Sequence, residues 1–117
     1  MLAVGEHKWA NWDPRYLRLS TGLGGGIGGT RQEVCGALSG GVLVIGGLLG
    51  RQDPNANDDE AYALCEEFRT RFLAEMGDTQ CGRLRDAIEA PGGPGTCAPL
   101  VEQAAGILMD VLDGYKP

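Results

Sequence analysis

The longest regular pattern of apolar and polar positions runs over residues 58–76. Ala61, Leu64, Cys65, Phe68, Phe72 and Met76 recur at helical spacing there, while Glu66, Glu67, Arg69 and Arg71 fill the opposite side. That spacing predicts an amphipathic helix with one buried face, and Gly77 is the residue type that ends such a helix. A second apolar stripe, Leu100, Val101, Ala104, Ala105, Leu108, Val111 and Leu112, predicts a last helix reaching about Asp113. Thr96 is placed to cap it, and Pro99 is tolerated in its first turn. Between the two, Asp78 and Thr79 can cap a short helix over 80–89, and residues 90–95, APGGPG, cannot hold regular structure.

Residues 34–50 follow a different rule: they carry no charge and include six glycines. Thr30 with Glu33 three residues on forms a capping-box pattern, which predicts a helix beginning at Thr30. Glycine in a helix interior costs about 0.5–1 kcal/mol per site relative to alanine, so close packing must offset the loss. Gly36 and Gly40 lie four apart, as do Ala37 and Gly41, leaving one helix face almost bare backbone. The stretch falls short of the roughly 20 apolar residues of a membrane span, so a buried central helix is the expectation.

At the chain start, Leu2, Ala3, Val4 and Trp9 read as the last turns of a helix. Residues 11–14 break it, with Asp13 a cap and Pro14 a first helical residue for a short helix over 14–20. Residues 21–29, TGLGGGIGG, form a loop. No convincing strand occurs, since the β-prone residues 42–45 lie inside the glycine-rich helix. These segments predict an all-α fold: one domain over residues 1–117, a small bundle of about four to five helices around a central glycine-rich helix.

Composition narrows the function. With sixteen acidic and ten basic residues the net charge is −6, and Arg15/Arg18 and Arg83/Arg85 sit among acidic or apolar neighbours. Such a surface repels phosphate backbones, so no nucleic-acid partner is expected. The start lacks a basic region followed by an apolar run of signal length, and a cytoplasmic setting with reduced thiols follows as the expectation. Gly24, Gly26 and Gly29 satisfy GxGxxG, but no buried strand precedes them and no Lys-Ser/Thr pair follows. A tight connector is the simpler reading, with a weak anion site at the helix start as the other.

The four cysteines, Cys35, Cys65, Cys81 and Cys97, contain no CxxC or CxxCH spacing, which disfavours structural zinc and c-type haem. A single histidine, His7, makes a Cys–His nucleophilic pair an unpromising reading. Cys97 directly follows the expected cap Thr96, and Cys81 lies two after Thr79. Helix starts favour thiolate over thiol, so both have an electrostatic case for activation. Cys35, five beyond Thr30, has a weaker one. Cys65 falls on an apolar face and reads as a packing residue.

Residues 21–51, TGLGGGIGGTRQEVCGALSGGVLVIGGLLGR, resemble the core of the C_GCAxxG_C_C family, small proteins described as redox-active. The match is carried by Cys35, Gly36, Ala37 and Gly40, and by Cys81 and Cys97 at the places of two later family cysteines. The resemblance covers roughly residues 21–112. It implies a redox-active protein in which Cys35, Cys81 and Cys97 exchange between thiol and disulfide, with a redox partner that family context links to transport. It names neither cofactor nor substrate. Two alternatives stand beside it: a non-catalytic helical interaction module whose glycine face packs a partner or a second copy, and a metal- or iron–sulfur-binding protein. The family also carries an upstream cysteine that this chain lacks. MLAVGEHKWANW resembles the tail of that upstream helix, as in a chain begun partway along it. Cys65 has no family counterpart.

Overall fold

The uncharged stretch forms a helix that buries Leu38, Val44 and Ile45 against the rest of the chain and leaves Val42 and Leu48 at the surface. The computed structural model describes residues 2–115. It holds six α-helices: α1 (Leu2–Lys8), α2 (Tyr16–Ser20), α3 (Gly36–Leu49), α4 (Asp59–Met76), α5 (Cys81–Glu89) and α6 (Ala98–Asp113), with one 3-10 turn at Thr21–Leu23. The described residues contain no strand, only an isolated antiparallel bridge between Val34 and Gln80. The fold is therefore a compact all-α bundle. No described helix is long and apolar enough to cross a membrane.

α3, α4 and α6 pack pairwise on one another, and α1 lies across α3 and α6. Val44 and Ile45 of α3, Phe68 and Phe72 of α4, and Val111 of α6 are the largest fully enclosed side chains. The predicted face of α4 is the observed one, with Ala61, Leu64, Phe68 and Phe72 buried and Gly77 closing the helix at φ +82°. The bare face of α3 is used at Gly41, where an added Cβ would collide with the Phe68 ring. At the chain start, the indole Nε1 of Trp9 donates to Val44 O at 3.2 Å, and Lys8 pairs with Asp113 at 2.7 Å. Trp9 also stacks with Trp12 and Tyr16, ring centroids 5.3 and 5.0 Å away, which anchors the α1–α2 corner against α3.

Two expectations fail. The helix does not begin at Thr30, because Arg31 is left-handed at φ +63° and residues 33–35 are committed to another segment. Cys35 N donates to Thr79 O at 2.7 Å, and Cys81 N donates to Glu33 O at 2.9 Å. Thr30 Oγ1 instead donates back to Gly26 O and Ile27 O, both at 2.8 Å. On α6, Val101 is 51% exposed while Ile107, absent from the predicted face, is buried at 6%.

Candidate active site: three cysteines at three helix starts

The glycine-rich loop is built from a rare conformation. Gly25, Gly26, Ile27, Gly28 and Gly29 all have positive φ, between 60° and 73°, which makes a short left-handed turn. An L-residue loses about 1–2 kcal/mol in that conformation, whereas glycine is free to adopt it. Ile27 is the costly exception, a β-branched residue at φ +68°. Arg31 N donates to Gly25 O at 2.7 Å and Glu33 N to Gly26 O at 3.2 Å, which curls the turn back on itself. The result sets Gly26 against Cys81: a Cβ at Gly26 would lie 2.7 Å from Cys81 Cβ and 2.9 Å from Arg31 Cα.

Below this turn three helices begin. Cys35 is the N-cap of α3, Cys81 the first residue of α5 and Cys97 the N-cap of α6. The expected caps of α5 and α6 are each displaced by one residue. Gln80 rather than Thr79 caps α5, its side chain accepting from Arg83 N at 2.9 Å, and Cys97 rather than Thr96 precedes α6. The change matters most for Cys35, which the sequence placed past the first turn and the structure places at the helix start.

All three sulfur-bearing residues line one cleft of about 240 Å³, together with Leu84, Arg85 and Leu100. Gly36 and Ala37 also line it, whereas Gly40 is buried one turn deeper in α3. The positive ends of three helix dipoles meet there, a setting that favours negative charge on sulfur. For Cys35 the opposing effect is larger: burial pushes its thiol up, and the Ala37 and Leu38 amides pull it partly back. Cys81 is only 5% exposed, and Cys97 is half-buried. Cys65 lies elsewhere, in a cleft with Leu38, Val42 and Arg69, and burial pushes its thiol up too.

One site residue has no counterpart in the sequence reading. Arg85 Nη1 donates to Cys97 Sγ at 3.4 Å. Its Nε and Nη2 donate to Glu89 Oε1 at 3.4 and 3.3 Å, and Arg31 from the glycine segment donates to the same carboxylate at 3.3 and 3.4 Å. The neighbouring Cys97 sulfur is the largest influence raising the Arg85 guanidinium, desolvation opposes it, and Glu89 adds to it. The Arg31 hydrogen bond, reinforced by Arg85, holds Glu89 below the usual carboxylate range. The signal for Arg85 was present: it follows Cys81 by four residues, which puts both on one face of α5.

Asp78 fixes the segment that delivers Cys81. Its Oδ1 accepts from Thr79 N at 2.7 Å and Gln80 N at 2.9 Å, and Arg83 Nε donates to Oδ2 at 2.5 Å. The Arg83 hydrogen bond holds the Asp78 carboxyl far below the usual range. A carboxyl depressed in the folded state adds stability above its unfolded value and loses it as pH falls toward its folded one. Asp78→Asn is therefore expected to flatten the acid side of the stability curve below about pH 4. Circular dichroism of both proteins across pH 2–5 checks this.

A family model described as "Putative redox-active protein (C_GCAxxG_C_C)" matches residues 1–111. The chain belongs to this family. In this member of the C_GCAxxG_C_C family Gly36 is closely packed: a Cβ there would lie 3.3 Å from Leu23 O and 3.4 Å from Gly24 Cα. The family name also carries a cysteine ahead of its central motif, and no cysteine precedes Cys35 in this sequence. No curated protein and no solved structure matches the chain.

Proposed function

We propose that this C_GCAxxG_C_C protein works by thiol–disulfide exchange among Cys35, Cys81 and Cys97, in a cytoplasmic setting that keeps the thiols reduced between turnovers. The observation carrying this reading is convergence. Three cysteines from distant parts of the sequence line one small cleft, each at the start of a different helix, while the fourth packs elsewhere. In the reaction, two thiols give up two electrons and two protons and join as a disulfide. The oxidant is a disulfide-bearing partner, which is reduced to two thiols. Among the described residues, no group of three His, Cys, Asp or Glu side chains is arranged to hold a metal ion.

A second reading draws on a different surface. Leu19 is 71% exposed, and with Trp9, Tyr16, Val42 and Leu48 it lines an apolar groove along α3. On this reading the chain is an interaction module, and serine at all three cleft cysteines would leave a partner complex intact.

Thiol titration of the folded protein, before and after a mild disulfide oxidant, tests the exchange reading. Two reactive thiols are expected to disappear on oxidation, and no thiol is expected to be lost when Cys35, Cys81 and Cys97 are all replaced by serine. Four cysteines that stay unreactive in the folded state would sink the proposal.

A further inference from the structure

The cleft does not treat its three thiols alike. Cys81 is sealed beneath Gly26 and reaches little solvent. Cys35 is half-buried, and no arginine or lysine lies within hydrogen-bonding distance of its sulfur among the described residues. Cys97 is half-buried at the start of a sixteen-residue helix, beside the mouth residue Val101, with a guanidinium 3.4 Å from its sulfur. Glu89 accepts from that guanidinium's Nε and Nη2, and Arg31 donates to Glu89. The cation is thereby placed as a counter-ion at one sulfur.

The geometry points to Cys97 as the attacking thiol of the exchange reaction, with Arg85 as its positioning residue. This inference rests on the exchange reading above and assigns roles within it. The Cys97 thiolate attacks one sulfur of the partner's disulfide, forming a mixed disulfide and releasing the first partner thiolate, which takes up a proton. A second cleft thiol, deprotonated, then attacks Cys97 Sγ. The intramolecular disulfide forms, and the second partner thiolate leaves and is protonated. Two electrons pass to the partner, and the two protons lost by the cleft cysteines balance those gained by the partner's thiols.

The test is site-resolved alkylation of the full chain with iodoacetamide at pH 7, quantified by peptide mass spectrometry. Cys97 is expected to label fastest of the four cysteines. Arg85→Gln, which removes the cation 3.4 Å from the sulfur, is expected to slow Cys97 labelling severalfold. Arg85→Lys restores most of the rate because it restores the charge, and Cys65 labels at the same rate in all three proteins. A Cys97 rate that is unchanged in Arg85→Gln overturns the inference, as does faster labelling at Cys35. Failure of the lysine variant to restore the rate also overturns it. The readout needs no oxidant, which separates the two ideas. If Arg85→Gln slows Cys97 yet oxidant forms no disulfide, the exchange reading fails and the Arg85–Cys97 coupling stands. Disulfide formation with unaltered Cys97 labelling keeps the exchange reading and removes this one.

Discussion

Phe68→Ala is expected to remove about 3–5 kcal/mol of stability, the range for truncating a buried aromatic in a packed core. Phe68 is fully enclosed, with its ring against the bare backbone of Gly41 and edge-on to Phe72, centroids 6.3 Å apart. It joins α3 to α4, so its loss opens a cavity that the rigid glycine face cannot close by shifting a side chain. A domain of this size has about 5–15 kcal/mol of stability in total, so the variant is left marginal. Urea unfolding at 25 °C measures the difference. Tyr62→Ala, at a position 68% exposed, serves as control and is expected to change stability by under about 0.5 kcal/mol. A loss below about 1 kcal/mol at Phe68 would contradict the account of how α3 and α4 are held together.

Gly26→Val is expected to cost roughly 2–5 kcal/mol and to disturb the cleft as well as the fold. A β-branched residue at φ +72° pays about 1–2 kcal/mol for the left-handed backbone, and about 1–3 kcal/mol follows from forcing atoms into a filled space. That space belongs to Cys81, 2.7 Å from the added Cβ, so the variant should also expose Cys81 to alkylation. Gly28→Ala makes the comparison informative. Gly28 has a similar φ of +61° but open space around it, so only the backbone cost of about 1–2 kcal/mol remains. Equal losses at the two positions would mean that the turn does not press on Cys81.

These two sites differ in how far the chain announces them. The α4 face is legible because Ala61, Leu64, Phe68 and Phe72 repeat within one helix, and the pattern needs no knowledge of partners. The glycine face of α3 is legible as close packing for the same reason, though not the identity of Phe68 as its neighbour. The start of α3 is not legible. Thr30 and Glu33 satisfy a local capping rule that loses to long-range pairing of residues 33–35 with 79–81 and to a left-handed turn just before them. Arg85 is half legible. Its spacing from Cys81 marks a shared face, but Glu89 four residues later makes it look like an ordinary solvated ion pair. Only the folded chain brings Cys97 to the other side of that guanidinium. The resemblance implied that Cys35, Cys81 and Cys97 belong together, and the fold sets each at a helix start beside one cleft.

The most direct test of that grouping is a disulfide map. The folded protein is oxidised mildly, remaining thiols are blocked, and peptides are analysed for cross-links. The account predicts one intramolecular disulfide drawn from Cys35, Cys81 and Cys97, reversible by reductant, with Cys65 recovered as a blocked thiol. A cross-link through Cys65, or four blocked thiols and no disulfide, would contradict it.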